Sequence, residues 1–500
     1  MSATRFFIAY EVQADGKTPA IPAFFIESTA PNNFDDKGET LPAPDHCVDL
    51  GDPRQAIERI AQTLARQEAP KLVITVHGFN SPRDAVLKTY AQSFQSVNGD
   101  KVLRDRGVVC VGYRWPSERM GTPWRSGLAA SPIFLLGTLF TALAAVYFVN
   151  FVLELCEVAR IVRMLITAAT AFMAVIPITL YLLRLIVYFR DGYRATTYGV
   201  PDLVDIIRLL DDALAKQLSE MGKTQARADL SFIGHSMGGY VVTNVVRILT
   251  DVFSPAAMTA MKAMTAGEEV LGTHADDNIE LSYIGKAFLL RRLVLVSPDI
   301  PAEVLLSGRA NALRSSLIRF QEAHLFSNEG DEVLLDISTT ANFFSLPTKQ
   351  RNFGFRLGNV GVLTDWGITK GVSLDKLRVG SQTLSQLYTA LDAAQSSDDF
   401  AQRLTYFDCT DSIENGEGVV TNARPGEPCD LSTMGHLRLL WLYVTQGRPD
   451  VHSGYFAPGF VGQLIYRFAC IGYGDSEQAY GQFDAFSAEC KAHQVKALRG

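Results

Sequence analysis

Short, mostly apolar runs recur along the chain and alternate with segments of helical periodicity. The clearest runs are residues 71–76, 108–113, 230–233, 292–296, 323–326 and 404–407. Near-continuous apolar runs are typical of parallel strands that are buried on both faces. Amphipathic segments lie between them, for example residues 201–221, which begin with a proline in the first helical turn. The pattern predicts the α/β fold class, with a mostly parallel sheet covered by helices on both faces.

Two long segments, residues 126–153 and 164–183, carry no charged side chain. A helix of about 20 residues spans a bilayer core of about 30 Å. Because the connector between the segments is short, we predict a hydrophobic helical hairpin over residues 126–190 that crosses the membrane. More arginines flank the two ends of the hairpin, next to the globular part, than lie at its tip. This distribution predicts a location at the cytoplasmic face of the inner (plasma) membrane. The alternatives are an insertion that lies on the membrane or acts as an apolar lid, and a pair of buried core helices.

Composition narrows the classes of function. The formal net charge of −7 gives no electrostatic basis for binding nucleic acid. The seven cysteines are scattered and form no C-x-x-C pair, which argues against a disulfide framework or a structural zinc site and fits a reducing compartment. The N-terminus lacks an apolar stretch long enough for a signal peptide. We expect residues 1–125 and 191–500 to form the two parts of one domain, interrupted by the hairpin at 126–190.

The strongest chemical signal is the sequence Gly-His-Ser-Met-Gly at residues 234–238, directly after the apolar run 230–233. A serine with glycine two positions away on each side, at the end of a strand, is the pattern of a nucleophile elbow. The turn is so tight that a side chain at either glycine would collide with the adjoining strand or helix. Residues 240–249 are apolar at helical spacing, so the pattern predicts Ser236 as a nucleophile at a helix N-terminus.

A serine nucleophile needs a histidine that takes its proton and a carboxylate that orients the histidine. In the chain order serine, acid, histidine, both partners follow Ser236 at the ends of later strands. Asp331, in a glycine-containing loop, is the predicted acid, and Asp299 is the alternative acid. His452, in a loop that precedes a helical segment, is the predicted base. His436 is the alternative base, although its position in a helical segment favours a packed or surface histidine.

Two backbone N–H groups are needed to hold the oxyanion that forms during acyl transfer. The first is predicted to be the amide of Met237, the residue after the nucleophile. The second is predicted to be the amide of Phe79, in the sequence His-Gly-Phe-Asn at residues 77–80 that follows the run 71–76.

The segments 77–80, 234–238, 297–300 and 452–456 resemble a family of bacterial alpha/beta hydrolases of the esterase/lipase type whose physiological substrate is unknown. The resemblance implies the alpha/beta-hydrolase fold and a catalytic triad of Ser236, Asp331 and His452. The chain departs from the family pattern in the hydrophobic hairpin and in long insertions at residues 254–284, 347–380 and 411–433.

Together these observations predict a membrane-associated serine hydrolase that cleaves a carboxylic ester or thioester through an acyl-enzyme intermediate. The expected partners are the bilayer and a small-molecule or lipid ester, and neither a metal nor an organic cofactor is expected. One alternative is a catalytically idle hydrolase fold that serves as a membrane scaffold or binding protein. A narrower alternative is a thioesterase that removes acyl groups from proteins.

Overall fold

The computed structural model describes residues 6–13, 19–31, 42–118, 133–156, 158–170, 176–250, 282–306, 312–341, 355–390, 399–446 and 449–500. Its strands are β1 (Phe7–Val12), β2 (Ala23–Ser28), β3 (Cys47–Asp49), β4 (Lys71–Val76), β5 (Val108–Arg114), β6 (Ala228–His235), β7 (Tyr283–Ile284), β8 (Phe288–Val296), β9 (Glu322–Ser327), β10 (Gly361–Val362), β11 (Gly367–Lys370), β12 (Leu377–Val379), β13 (Gln382–Thr383), β14 (Leu404–Asp408), β15 (Ile413–Glu414), β16 (Glu417–Gly418) and β17 (Lys496–Arg499).

The α-helices are α1 (Pro53–Ala65), α2 (Arg83–Gly99), α3 (Ile133–Leu155), α4 (Arg160–Thr170), α5 (Ile176–Arg194), α6 (Val200–Glu220), α7 (Met237–Leu249), α8 (Glu303–Leu306), α9 (Ala312–Leu317), α10 (Leu384–Ala390), α11 (Asp399–Gln402), α12 (Thr433–Gln446), α13 (Phe460–Ala479) and α14 (Gln482–Ala492). A π-helical turn at Ala195–Gly199 joins α5 to α6.

Most of the strands belong to one large mixed sheet. Its order is β11-β17-β14-β9-β8-β6-β4-β5-β2-β1-β3, and β7 pairs with β8. The run from β14 to β2 is parallel throughout, whereas β1, β3, β7 and the contact between β14 and β17 are antiparallel. The register pairs Val76 with Gly234 and His235 with Val296, so β4, β6 and β8 end at the same edge of the sheet. This edge is where ligands bind in parallel α/β sheets.

A hydrophobic core lies on each face of the sheet. One core includes Ile60 of α1, Leu210 of α6 and Val245 of α7. The other core includes Tyr90 of α2 and Leu464 of α13. The predicted mostly parallel sheet with helices on both faces is therefore confirmed.

Two segments that were predicted as loop-rich insertions contribute strands. Within residues 347–380, β11 extends the large sheet by pairing in parallel with β17. Within residues 411–433, β15 and β16 form a small antiparallel pair. The run 404–407 was the last of the apolar runs predicted as strands, but a further strand, β17, follows it near the C-terminus. Most of the predicted insertion at 254–284 lies outside the described residues.

The predicted membrane-spanning hairpin, and the membrane location derived from it, are wrong. No helix within the described part of the chain has both the length and the apolar character that a membrane crossing requires. The described residues of the second uncharged segment, 164–183, belong to α4, which has 11 residues, and to the first part of α5. Helix α5 carries buried charged groups at its C-terminal end, where Asp191 and Arg194 are almost fully enclosed by protein. These residues fix α5 to the globular domain.

Candidate active site

The serine of the predicted elbow lies at the tight turn between β6 and α7. Its backbone has φ 54° and ψ −124°, a conformation that L-residues rarely adopt. The Ser236 N–H donates to the carbonyl of Val296, and the Ser236 carbonyl accepts from the amides of Gly239 and Asp299. These three bonds hold the strained residue between β8 and the first turn of α7. Strain of this kind costs about 1–3 kcal/mol and persists where the surrounding structure fixes it, commonly at functional sites.

Glycines surround Ser236 because the space beside it is already filled. A Cβ on Gly234 would lie 2.7 Å from the Cα of Gly239, and one on Gly238 would lie 2.3 Å from the carbonyl oxygen of Val76. A Cβ on Gly78 would lie 2.7 Å from the Cβ of Ser236. The loop after β4 therefore passes directly beside the serine.

Asp331 and His452 are brought together although 121 positions separate them in sequence. The Nδ1 of His452 donates to the Oδ2 of Asp331 over 2.6 Å. The same carboxylate oxygen accepts a short hydrogen bond from the hydroxyl of Ser297. Its other oxygen, Oδ1, accepts from the amides of Val333 and Leu334. The carboxylate is fully buried, and hydrogen bonds to both of its oxygens fix its orientation.

Three hydrogen bonds fix the loop that carries His452. Asn328, which is buried beside Asp331, donates through Nδ2 to the carbonyl of Val451 over 2.8 Å. Asp450 accepts from the amide of His452. The Nε2 of His235 donates to the carbonyl of His452 over 2.9 Å. The loop that carries His452 is thus tied to the loop that carries Asp331 and to the turn at Ser236.

Two polar atoms at the centre of the site have no hydrogen-bond partner among the described residues. They are the Oγ of Ser236 and the Nε2 of His452, and both are buried. Gly78 contacts Ser236, and the ring of the neighbouring Phe79 lies 6.4 Å from the ring of His452. Buried polar atoms are usually paired, and the exceptions need an explanation such as a catalytic role.

The two histidines beside Ser236 have opposite electrostatic environments. For His452, burial opposes protonation, but the charge of Asp331 and its hydrogen bond outweigh burial and raise the pKa above the ordinary value. For His235, burial and the neighbouring His452 lower the pKa to about 3. His235 is therefore neutral near pH 7. Because a carbonyl oxygen only accepts, its Nε2 carries the proton.

The alternative residues have other partners. Asp299 is buried and forms an ion pair with Arg356, whose Nε lies 3.0 Å from its Oδ1. A second nitrogen of Arg356 donates to the carbonyl of Ser338. His436 lies on α12, with its Nδ1 3.6 Å from the carboxylate of Glu332, and its ring is 30% exposed. Asp299 is thus paired with an arginine and His436 is partly exposed, whereas Asp331 and His452 form a buried pair with each other.

The predicted oxyanion residues lie where β4 and β6 end. Met237 is the first residue of α7, so its N–H is among those that have no acceptor within the helix. Phe79 lies in the loop that crosses Ser236, and its ring packs edge-on against Tyr188 of α5, with 5.6 Å between ring centroids. The next residue, Asn80, has φ 54° and donates its N–H to the carboxylate of Asp191 over 2.9 Å.

The sequence did not point to Asp191, Tyr188 or the role of Ser297. Asp191 and Tyr188 contact the loop after β4 from α5, which the sequence assigned to a membrane hairpin or its flank. The available signal was one aspartate among arginines at the end of an apolar helix. Ser297 follows β8 with φ 43°, so Asn80, Ser236 and Ser297 all have positive φ at the ends of neighbouring strands.

No group of three or more His, Cys, Asp or Glu side chains in the described ranges is arranged to hold a metal ion. The polar groups at the site are those of a hydroxyl, an imidazole and a carboxylate. In catalytic triads these three kinds of group together transfer the proton of a hydroxyl and stabilise the charged imidazole that results.

Residues 209–342 match a family described as alpha/beta hydrolase of unknown function (DUF900). The matched segment includes Ser236, Asp299 and Asp331 and ends before His452. Comparison with curated proteins and with solved structures gave no match. The match indicates a hydrolase and names no substrate. Together with the sheet order and the turn between β6 and α7, the match over these residues indicates the alpha/beta-hydrolase fold.

Proposed function

We propose that this alpha/beta hydrolase is a serine hydrolase that cleaves a carboxylic ester through an acyl-enzyme on Ser236. In this proposal His452 is the general base and acid, and Asp331 orients and stabilises it. The amides of Phe79 and Met237 hold the oxyanion. The observation that carries the proposal is the bond of 2.6 Å between His452 and Asp331, combined with the unpartnered Nε2 on the other side of the same ring.

The proposed reaction has two half-reactions. The Oγ of Ser236 forms a bond to the carbonyl carbon of the ester while the Nε2 of His452 takes the hydroxyl proton. The carbon–oxygen bond to the alcohol then breaks, and the Nε2–H returns the proton to the departing alkoxide. In the second half-reaction the oxygen of a water molecule bonds to the acyl carbon while the Nε2 of His452 takes a proton from the water. The acyl–Oγ bond then breaks, the Nε2–H returns the proton to the Oγ of Ser236, and the carboxylic acid leaves.

Aromatic and apolar side chains around the site favour an uncharged acyl group. Phe79 and Tyr188 pack against each other beside His452, and Phe456 lies edge-on to His235 with 5.3 Å between ring centroids. Asp331, Asp450 and Asp299 all act on His452 as negative charges. They would repel an anionic acyl chain. We therefore expect a neutral small-molecule or lipid ester rather than a charged one.

Hydrolysis of a matched series of esters tests the proposal. Purified protein would be assayed with 4-nitrophenyl acetate, butyrate and octanoate, and with the corresponding thioesters in parallel. We expect saturable hydrolysis of at least one oxygen ester, and the ratio of oxygen-ester to thioester turnover assigns the leaving group.

The matched control is Ser236→Ala, which removes only the nucleophilic oxygen. This variant should lose at least about 10³-fold in kcat while keeping the fold. Wild-type protein that hydrolyses none of the esters and thioesters, or a variant as active as the wild type, would contradict the proposal. An inert wild type would favour a binding protein with an idle hydrolase fold.

A further inference from the structure

The carboxylate of Asp191 lies at the junction of three segments that meet beside the active site. Its Oδ2 accepts the N–H of Asn80 over 2.9 Å and the hydroxyl of Ser117 over 2.7 Å. Its Oδ1 faces Arg190 and Arg194, at 3.2 Å and 3.4 Å. The side chain is completely buried. One carboxylate on α5 therefore joins the loop after β4 to the segment after β5.

The bond to Asn80 acts one peptide away from a proposed oxyanion donor. The N–H of Asn80 belongs to the peptide that follows Phe79, so holding this N–H fixes the plane of that peptide. That plane limits the rotation of Phe79 and hence the direction of its own N–H. Asn80 has a φ of 54°, which an asparagine tolerates better than most residues but adopts only with local support.

A second contact from the same helix reaches the same loop. Tyr188, three positions before Asp191 on α5, packs edge-on against the ring of Phe79. Its hydroxyl accepts from Arg356 over 3.4 Å, which links it to the ion pair with Asp299. Helix α5 thus contacts the oxyanion loop through the backbone of Asn80 and through the side chain of Phe79.

We propose that Asp191 is a positioning residue that holds the oxyanion loop in the geometry required by the transition state. This inference rests on the proposed function of Ser236, because it assigns a purpose to the loop that crosses the serine. Asp191 touches neither the substrate nor the reacting atoms. It acts through the peptide between Phe79 and Asn80, so its loss should affect the transition state more than substrate binding.

Two variants at Asp191 test the positioning role. Asp191→Ala removes both acceptor oxygens. Asp191→Asn keeps the shape and one oxygen, but its NH₂ must face either the arginines or the Asn80 N–H, so one interaction is lost. The matched control is Asp205→Ala on α6, where the side chain is 59% exposed and pairs with Arg208 on the helix surface. Active sites would be titrated with a fluorophosphonate, so that kcat refers to folded molecules.

With the best ester of the series, we expect Asp191→Ala to lower kcat at least about 10-fold, with KM within about twofold of the wild type. Asp191→Asn should give an intermediate kcat, and Asp205→Ala should match the wild type. Affinity for a trifluoromethyl ketone, which forms an oxyanion on Ser236, should fall in proportion to kcat. If Asp191→Ala fails to fold, the Asn variant decides.

Two outcomes would overturn the inference and are distinguishable from a failure of the proposed function. If the wild type is active and both variants keep kcat within about twofold, Asp191 has no positioning role. A rise in KM with unchanged kcat would also overturn it, because that result indicates a contribution to substrate binding alone. If the wild type itself neither turns over esters nor reacts with the fluorophosphonate, the proposed function fails and the positioning role fails with it.

Discussion

The Nε2 of His235 lies 2.9 Å from the backbone carbonyl oxygen of His452, so the residue before Ser236 holds the loop that supplies the proposed base. The two imidazole rings are 4.9 Å apart, and both are buried. A single side chain thereby sets the distance between the elbow and the base loop. His235, which stands at an x position of the Gly-x-Ser-x-Gly pattern, thus has a specific structural role.

Removing this bond should impair catalysis without removing a catalytic group. His235→Phe keeps an aromatic ring at this position but loses the N–H donor. The carbonyl of His452 then stays buried without a hydrogen bond from this side chain. We expect kcat to fall about 10-fold and the protein to lose about 1–3 kcal/mol of stability. The matched variant is His235→Gln, whose amide nitrogen can donate from nearly the same position, and it should recover most of the activity. Equal activity in His235→Phe and the wild type would show that the bond does not matter.

Gly78 should not tolerate even the smallest side chain. In Gly78→Ala the new Cβ would lie 2.7 Å from the Cβ of Ser236 and 3.2 Å from its Oγ. Such crowding costs about 1–3 kcal/mol and would displace either the loop or the serine. We expect a lower melting temperature and a loss of esterase activity. Gly474→Ala in α13 is the control, because an added Cβ there meets nothing within 4 Å. That change should leave activity intact and keep or raise stability.

Asp331 and Asp299 should respond differently to replacement by asparagine. Asp331→Asn removes the charge that stabilises the imidazolium of His452, so kcat should fall at least about 10²-fold with the fold retained. Asp299→Asn instead leaves the buried Arg356 without its counter-charge and should cost about 3 kcal/mol of stability. Activity per folded molecule should change much less in that variant. The reverse pattern, with the larger loss of kcat in Asp299→Asn, would make Asp299 the acid of the triad.

The pH dependence of kcat/KM should follow the protonation of His452. A general base must be neutral, so activity should decline as the pH falls through the pKa of His452. Burial lowers that pKa, but the charge and hydrogen bond of Asp331, with the charges of Asp450 and Asp299, outweigh burial and raise it. The acid limb should therefore lie above the ordinary histidine value of about 6.5.

Asp331→Asn provides the check on this assignment. It removes the main group that raises the pKa and leaves the burial that lowers it, so the acid limb should move to lower pH. An acid limb that stays in place in the Asn variant would assign the titration to another group.

The pair of Asp331 and His452 also affects folding. Its stabilisation is complete at pH values below the unfolded pKa of the histidine and is lost as the pH rises through the raised pKa.

Local patterns in the sequence predicted the strands and the turn at the site well. The apolar run 230–233 and the glycines at 234 and 238 predicted a strand–turn–helix, and the structure has β6 and α7 on either side of Ser236. Each of these features depends on neighbouring residues only. The core strands β4, β5 and β8 were predictable for the same reason, because burial on both faces requires continuous apolar runs.

Contacts between distant segments were not predictable in the same way. Asp191 meets Asn80 across 111 positions, and no local periodicity records such a contact. The membrane crossing predicted from the uncharged segments is wrong because a lack of charge does not distinguish a membrane span from helices of a globular protein. Directly after the uncharged segment 164–183, Leu185 and Val187 of α5 are apolar because they are buried in the domain. The edge strand β11 was missed because it is four residues long and flanked by turn residues.

The central claim is that Ser236 is a nucleophile activated by His452, and covalent labelling with a fluorophosphonate tests it most directly. Intact-mass spectrometry and peptide mapping would follow the reaction in the wild type, in Ser236→Ala and in His452→Ala. The account predicts one phosphonyl group per wild-type molecule, attached to Ser236, with no labelling of Ser236→Ala and much slower labelling of His452→Ala. Folded wild-type protein that resists the reagent, or that carries the label on another residue, would contradict it.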